Sequence, residues 1–329
     1  AAMRLIAHNE ERFPKKICAG KSGKQKVRFQ YFEDCYKENA FLAEDIRQTV
    51  QNGVPLSEIA VLFRTNMQPR ALMEYMVSAN LAFQTKDRIP DIYEHWIARD
   101  FFTYIRIAQG SDSRADFLSI MNRPKRYIGR DSLPDETVCF DEWVKLYEEQ
   151  PWIAERIEKL WYDLKHLSRL SPYAAINYIR RGIGYDDYLA EYAEYRNANK
   201  EDFYEVADEI LASAKGYRTF EEWFAHIEEY RQELKRLAQE KRRNQNAVTF
   251  ATLHSAKGLE FTKVYLIDVN EGVMPYKKAV LKQDVEEERR LFYVGMTRAK
   301  ESLTICSVKK MRGKEVELSR FIKEVGKEP

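Results

Sequence analysis

Two segments in the last third of the chain contain polar and charged residues of the types that form ligand-binding sites. Residues 249–260 read TFATLHSAKGLE, with Thr252, His254 and Glu260 at and after the end of an apolar stretch. Polar side chains that follow a buried strand come to the carboxyl edge of a parallel sheet, where α/β proteins bind ligands. Residues 286–300 read EEERRLFYVGMTRAK and include Arg298, whose planar guanidinium suits the charge of phosphate oxygens. These residue types predict a site and leave its ligand open.

The elements that would position these segments alternate between strand and helix at both ends of the chain. Four short apolar runs have the pattern of buried parallel strands: 59–63, 248–252, 264–268 and 303–307. Residues 93–246 are instead helical and rich in aromatic residues. We predict an α/β fold in which residues 1–92 and 247–329 form one discontinuous parallel-sheet domain, interrupted by an inserted all-α domain at 93–246. Three separate domains would leave each α/β piece short of a core.

Two helix ends can be predicted from local patterns. Thr219 and Glu222 form a capping box at the start of a helix that continues to about residue 243, with Trp223 on its apolar stripe. Ser319 precedes a short terminal helix in which Phe321 is the packing residue. Both patterns predict structural roles for the aromatic side chains.

The acidic run at 286–288 predicts the start of a helix. With Arg289 and Arg290 it predicts a charged first helical turn, because acidic side chains are favoured at the positive end of the helix dipole. This interpretation places the two arginines in a charged helical turn and leaves Arg298 as the functional arginine of the segment.

Composition places the chain among globular proteins. It has 329 residues, 44% of them hydrophobic and 32% charged, and a net charge of +2, which alone does not indicate nucleic-acid binding. No apolar run approaches the length of a bilayer span and no signal-peptide pattern is present, so we expect a cytoplasmic protein without a membrane partner. The four cysteines are scattered, with no C-x-x-C pair and no nearby histidine cluster, which predicts reduced thiols and no metal site.

The phosphate-binding loop of ATP-driven motors is missing from this sequence. Such motors use G-x-x-x-x-G-K-[ST], whose backbone N–H groups and lysine hold the phosphates. The nearest candidate, Gly20-Lys21-Ser22, has Lys15 where the first glycine should stand, and no apolar strand leads into it. We therefore expect this chain alone to bind ATP very weakly and not to hydrolyse it.

The segments at 249–260 and 286–300 closely resemble the last two nucleotide-coupling motifs of UvrD/PcrA/Rep-type superfamily 1 DNA helicases. The resemblance implies that the α/β part is the second RecA-like, P-loop-NTPase-type motor domain and that the insertion is the 2B-like helical domain. It implies that Glu260 hydrogen-bonds the ribose of ATP, that Gly258 permits the turn presenting Glu260, and that Arg298 stabilises the transferred phosphate. Thr252 and His254 would connect the nucleotide site to the DNA track.

Further segments resemble motifs that contact DNA in the same family. Residues 59–66, IAVLFRTN, resemble a strand that delivers Arg64 and Asn66 to single-stranded DNA. Residues 271–276, EGVMPY, match a loop in which bacterial members usually carry histidine where this chain has Tyr276. A tyrosine can also stack on a base.

A third segment, within the insertion, resembles the family's duplex-contacting sequence Arg-Gly-Ile-Gly. Residues 122–130 read NRPKRYIGR, and the resemblance implies DNA contacts there. This chain has Tyr127 at the first glycine, where a bulky side chain would block phosphates from the backbone amides. The implied contact residues are Arg126, Ile128, Gly129 and Arg130.

The resemblance implies a parent protein that is an ATP-dependent 3′–5′ DNA helicase. Its cofactors would be ATP and Mg²⁺, bound mainly by an N-terminal motor domain that this sequence lacks, and its partners would be single-stranded DNA and single/double-strand junctions. A rival interpretation is a non-enzymatic, helicase-derived module that binds nucleic acid or a protein partner. A third is the helicase portion of a recombination nuclease subunit, which would need an extended C-terminus.

Overall fold

The computed structural model describes residues 1–10, 27–87, 89–240 and 246–326. The Gly20-Lys21-Ser22 segment with Lys15, Cys18 and the basic run at 241–243 lie outside these ranges. The chain forms two compact units, one made of residues 1–90 and 230–329 and the other of residues 91–229. We call them the sheet unit and the helical unit.

The sheet unit is built on a seven-stranded sheet with the strand order β1-β6-β5-β2-β4-β3. All neighbours along this path are parallel, and the short β7 pairs antiparallel with β6. The predicted parallel α/β fold is confirmed. The strands are β1 (Arg28–Asp34), β2 (Ile59–Phe63), β3 (Phe83–Thr85), β4 (Val248–Thr252), β5 (Phe261–Leu266), β6 (Ala299–Met311) and β7 (Lys314–Glu315).

Helices cover both faces of this sheet, and the two faces of β2 show why its sequence is continuously apolar. Ala60 and Leu62 join a core cluster with residues of α1, α12 and α13. On the other face, α2 bonds to β5 through Asp45, which accepts from Lys263 Nζ at 2.6 Å and from Tyr265 Oη at 2.6 Å. Burial on both faces explains the run of apolar residues without alternation. The helices of this unit are α1 (Ala2–Ile6), α2 (Cys35–Gln51), α3 (Arg70–Ser78), α12 (Lys282–Met296) and α13 (Arg320–Glu324).

The start of α12 differs from the prediction. The helix begins at Lys282, so the acidic run at 286–288 lies in its second turn, and Asp284 is the acidic residue of the first. Arg289 is buried and donates to both carboxylate oxygens of Glu324 at 2.7 and 2.8 Å. The first-turn position predicted for Arg289 is therefore wrong, because the helix begins four residues before Glu286 and Arg289 joins α12 to α13.

One glycine of α12 is required by close packing. A Cβ added at Gly295 would lie 2.3 Å from the Leu253 side chain, well inside van der Waals contact. The helix therefore lies directly on the turn that follows β4. This contact places the end of α12, and with it Arg298, against the 253–260 segment.

The helical unit packs its aromatic residues into its interior. Its longer helices surround Phe101, Tyr104, Trp143 and Tyr185, all of which are fully buried. These helices are α4 (Trp96–Ala108), α5 (Arg114–Ile120), α6 (Phe140–Lys145), α7 (Pro151–Leu167), α8 (Pro172–Arg181), α9 (Tyr185–Tyr195) and α10 (Lys200–Ser213), and α11 (Phe220–Glu240) begins in this unit.

Both predicted helix starts are confirmed. Glu222 N donates to Thr219 Oγ1 at 3.2 Å, and Thr219 N donates to the Glu222 carboxylate at 3.4 Å, which completes the capping box. Trp223 is fully buried, as its place on the apolar stripe predicts. Ser319 Oγ accepts from Phe321 N at 3.2 Å and Phe321 is buried.

Candidate functional site

Glu260 and Arg298 lie side by side at the amino ends of two neighbouring strands. Glu260 directly precedes β5 and Arg298 directly precedes β6, and Phe261 pairs with Ala299 across these strands. Phe261 N donates to Arg298 O at 2.9 Å, which fixes the two segments together. Glu260 is exposed and Arg298 is half-buried. A carboxylate and a guanidinium therefore share one edge of the sheet and remain open to solvent.

The Arg298 guanidinium is held by its own unit. Nε donates to Val294 O at 2.9 Å, Nη1 donates to Leu259 O at 3.0 Å, and Nη2 donates to Thr297 Oγ1 at 3.0 Å. These bonds use three of the five N–H groups of an arginine. The other two donate to no residue in the described part of the chain. Arg298 is thus oriented by the end of α12 and by the loop before β5, with donors left for a ligand.

Gly258 supports the turn in front of Glu260. Its φ is +87°, a conformation that side chains with a Cβ rarely adopt, and a Cβ built there would meet open space. The requirement is therefore conformational and not steric. This agrees with the turn expected at Gly258.

The sequence prediction that Thr252 and Glu260 share the carboxyl edge of the sheet is wrong. Thr252 ends β4 and pairs with Phe63 at the end of β2, whereas Glu260 precedes the first residue of β5. The strand was predicted to begin at 264 and begins at Phe261, so the intervening loop crosses from one edge to the other. At about 3.3 Å per residue, the six residues of β5 separate the two edges by roughly 20 Å.

Arg64 lies at the carboxyl edge, in a bidentate ion pair that the sequence did not predict. Its Nε donates to Glu288 Oε2 at 2.9 Å and its Nη2 donates to Glu288 Oε1 at 2.8 Å. The side chains are 20% and 10% exposed. Glu288 also accepts from Tyr276 N at 3.1 Å, and the Arg64 guanidinium lies 5.2 Å from the centroid of the Tyr276 ring. Glu288 therefore brings together two of the predicted DNA-contact residues.

A glutamine holds the turn that follows β2. Gln68 Oε1 accepts from Arg64 N at 2.8 Å and from Thr65 N at 2.7 Å. Its amide nitrogen donates to Asp268 Oδ2 at 3.3 Å. Asn66, in the same turn, has a buried Oδ1 without a hydrogen-bond partner among the described residues. Asn66 therefore carries an acceptor that a ligand or a water molecule could satisfy.

Thr252 belongs to a second local network at this edge. Thr252 N donates to Asp87 Oδ2 at 2.7 Å, and Ser255 N donates to Thr252 Oγ1 at 3.2 Å. Ser255 Oγ also donates to Asp87 Oδ1. His254, next to this network, has an exposed side chain. The hydroxyl of Thr252 is engaged inside the unit, so His254 is the more accessible of the two predicted connecting residues.

A buried carboxyl pair lies under the carboxyl edge. Glu38 of α2 and Asp268, just after β5, share a side-chain hydrogen bond, and Asp268 N donates to Glu38 Oε1 at 3.3 Å. Burial raises the pKa of Glu38 well above its usual range, and repulsion from Asp268 raises it further. Burial also raises the pKa of Asp268. Because Gln68 binds Asp268, this pair is connected to the backbone of Arg64.

This pair predicts a pH dependence of stability. A carboxyl whose pKa is raised on folding stabilises the protein fully below its unfolded pKa, and this contribution is lost as pH rises through the folded pKa. Glu38→Gln should therefore have a higher free energy of unfolding than the wild type at pH 8, by roughly 1–3 kcal/mol. Urea denaturation measures this difference. The difference should shrink towards pH 4. Glu44→Gln, an exposed glutamate on the same helix, is the matched control, and an equal gain there would contradict the assignment.

The helical unit contains the third predicted DNA segment, and two of its four residues are buried. Arg126 donates through Nη1 to Met121 O at 3.0 Å and through Nη2 to Tyr104 Oη at 3.2 Å, and Ile128 is 3% exposed. The predicted DNA contacts of the Arg126 and Ile128 side chains are therefore replaced by structural roles, because both side chains fill the unit's interior. Gly129 and Arg130 are exposed.

Within the described ranges, no group of three or more His, Cys, Asp or Glu side chains is placed to hold a metal ion. The described helices all fall short of the length and apolar character that crossing a bilayer requires.

Comparison with known proteins finds helicases over most of the chain. Residues 1–136 and 142–310 match the family described as UvrD-like helicase C-terminal domain. The chain is 29% identical over 357 residues to the ATP-dependent DNA helicase PcrA of Staphylococcus epidermidis, covering 99% of this chain and 47% of the relative. The corresponding values for PcrA of Bacillus subtilis are 28% over 337 residues, with 94% and 44% covered. For the helicase Rep of Salmonella typhimurium they are 27% over 357 residues, with 99% and 52% covered. The chain spans about half the length of these relatives.

Proposed function

The chain belongs to the UvrD-like helicase C-terminal domain family, and from this premise we propose that it is the C-terminal part of an ATP-dependent DNA helicase that moves 3′–5′ along single-stranded DNA. The proposal is supported by the positions of the candidate residues at two opposite edges of the sheet unit. Glu260 and Arg298 lie at the amino edge, and Arg64, Asn66 and Tyr276 follow the carboxyl ends of the strands. We call the residues at the carboxyl edge the strand edge, because they would contact the DNA strand. A translocating motor needs a nucleotide site and a DNA site on the same domain.

The amino edge suits a nucleoside triphosphate held between two domains. The exposed Glu260 carboxylate can accept hydrogen bonds from the ribose hydroxyls, and Arg298 keeps two N–H groups for phosphate oxygens. ATP hydrolysis would supply the free energy for movement. Because Arg298 is already oriented by Val294 and Leu259, it would meet the phosphate with little loss of side-chain freedom.

Helix α12 is the physical link between the two edges in this proposal. It carries Glu288, which holds Arg64 and Tyr276, and its end carries Val294, which holds Arg298. A shift of α12 on nucleotide binding would therefore move the strand contacts as well. A single helix that contacts both sites can couple nucleotide binding to DNA binding in this way.

The remaining parts of the proposal concern what lies outside this chain. We propose that ATP and Mg²⁺ are bound mainly by an N-terminal motor domain, and that the chain alone does not hydrolyse ATP. Single-stranded DNA and single/double-strand junctions are the proposed partners, with Gly129 and Arg130 left as the exposed duplex contacts of the insertion. The proposed location is the cytoplasm.

Binding of single-stranded DNA as a function of salt tests the strand edge directly. The double substitution Arg64→Gln and Glu288→Gln removes both charges of the ion pair together. The two side-chain amides can still hydrogen-bond to each other, so the fold should persist. If Arg64 contacts a phosphate, the slope of log K against log salt should become shallower by about 0.7. Arg47→Gln, an exposed arginine on α2, should keep the wild-type slope. An unchanged slope in the double variant would remove Arg64 from the DNA site.

A further inference from the structure

Two exposed aromatic rings with cations over their faces lie together on the helical unit. Tyr127 is 57% exposed and Trp152, on α7, is 49% exposed. Their ring centroids are 6.3 Å apart in an edge-to-face arrangement. Lys125 Nζ lies 4.7 Å from the Tyr127 centroid, and the Arg156 guanidinium lies 5.3 Å from Tyr127 and 4.9 Å from Trp152. We call these four residues the aromatic–basic patch.

The loop that carries Tyr127 is held rigidly. Asn122 Nδ2 donates to Ile128 O at 2.8 Å, and Asn122 Oδ1 accepts from Ile128 N at 3.0 Å and from Arg126 N at 3.2 Å, which holds the residues on both sides of Tyr127. Arg156 Nη1 donates to Arg126 O at 3.1 Å and joins the loop to α7. The ring is therefore presented in one direction.

Tyr127 has a backbone conformation that bulky residues rarely adopt. Its φ is +60°, in the left-handed region that favours glycine. Such strain persists only where the surrounding bonds over-determine it, and it is concentrated at sites that bind ligands. The Tyr127 ring is not part of the buried core: it contacts Trp152, Lys125 and Arg156 at the surface and stays more than half exposed.

The chemistry of the patch matches nucleotides that are not base-paired. Aromatic rings stack on the faces of bases, and lysine and arginine beside them neutralise the phosphates. In a duplex the faces of the bases are already stacked on each other. An aromatic ring that binds by stacking on a base therefore selects unpaired bases. From the exposed rings and their flanking cations, we propose that the aromatic–basic patch binds single-stranded DNA by stacking on its bases.

This site is separate from the strand edge of the proposed motor. Arg64 and Tyr276 belong to the sheet unit, whereas all four patch residues belong to the helical unit. A polypeptide partner would have to cover the rings and also provide carboxylates for Lys125 and Arg156. A nucleic-acid strand provides both the flat faces and the negative charges in every nucleotide.

Tryptophan fluorescence of the whole chain tests the patch. An oligothymidylate should quench the wild-type emission, since a stacked base quenches the Trp152 indole, and Trp152→Phe should lose most of this quenching. Trp161→Phe is the matched control, because Trp161 lies on the same helix, is 41% exposed and also has a lysine over its ring, Lys165 at 3.3 Å. It should keep the quenching. The Arg64 and Glu288 double variant should keep it as well, which separates this site from the strand edge.

Affinity measured by fluorescence anisotropy gives a second readout. Trp152→Ala and Tyr127→Gly should each weaken oligothymidylate binding at the patch roughly 5- to 150-fold. Glycine at 127 accepts the positive φ, so this variant removes the ring without disturbing the loop. A blunt duplex should bind all three proteins equally. Wild-type affinity in both variants, an equal loss in Trp161→Ala, or an equal loss for the duplex would overturn the proposal.

Discussion

Replacing Arg298 by alanine in the protein that carries both motor domains should lower DNA-stimulated ATP hydrolysis by about 10³- to 10⁵-fold in kcat. In the proposed mechanism, the Arg298 guanidinium at the amino edge meets the charge developing on the transferred phosphoryl oxygens. Arg298→Lys should not restore the rate, because an ammonium lacks the planar fork that matches phosphate and cannot keep the bonds to Val294 and Leu259 together. Steady-state turnover at saturating ATP and DNA measures the effect.

Lys300→Ala is the matched control for this experiment. Lys300 lies two residues further along the same edge, pairs with Glu58 at 2.9 Å and is 39% exposed. It should leave kcat within a few-fold of the wild type. The urea midpoint of Arg298→Ala reports whether the loss comes from the chemistry or from the fold. Turnover within tenfold of the wild type in a folded Arg298→Ala protein would remove this arginine from the mechanism.

Removal of the Glu288 carboxylate should have the largest effect on stability. Glu288→Ala leaves the Arg64 guanidinium largely buried without its anion and also leaves Tyr276 N without its acceptor. Breaking one side of a buried ion pair costs about 3 kcal/mol or more. Hydrogen exchange of the β2 and β4 amides should therefore accelerate by about 100-fold or more if these amides exchange through unfolding of the sheet unit.

The neighbouring glutamate provides the comparison. Glu287 is 71% exposed and pairs only at the surface with Arg290, at 2.8 Å, so Glu287→Ala should change stability by less than about 0.5 kcal/mol. All five tryptophans lie between residues 96 and 223, so their fluorescence reports the helical unit and should be unaffected by either substitution. Similar exchange rates in the two variants would show that the Arg64 pair contributes no more than a surface pair.

The central strands were predictable because their signal is local. Residues 59–63 are all apolar, residues 248–252 combine three apolar residues with two β-branched threonines, and the structure has strands with these bounds. The start of β5 was not predictable, because it depends on hydrogen bonds to residues distant in sequence. Phe261 N donates to Arg298 O, and Thr262 N donates to Glu58 Oε2. That three-residue error placed Glu260 at the opposite edge of the sheet. A strand boundary set by tertiary hydrogen bonds leaves little trace in the periodicity of the sequence.

The side-chain pairs of the site were beyond sequence reasoning for a related reason. Arg64 and Glu288 are separated by 224 positions. The three glutamates at 286–288 are identical in sequence, and only the orientation of the helix determines which carboxylate faces inward. Arg126 was assigned to DNA because residues 122–130 resemble the family's duplex-contacting segment. Its guanidinium instead donates to backbone carbonyls and to the Tyr104 hydroxyl inside the helical unit. Burial of a charge depends on such acceptors, which no single-sequence pattern reveals.

The pairing of β2 with β4 also governs the order in which this protein can form during synthesis. The central strand of the sheet unit must wait until the ribosome has made the whole helical unit, roughly 10–40 s at about 5–20 residues per second. During that interval the apolar edges of β2 have no partner, while the helical unit can already collapse around local contacts. A nascent chain stalled before residue 248 would therefore expose an unpaired, wholly apolar strand and should be a preferred client of chaperones.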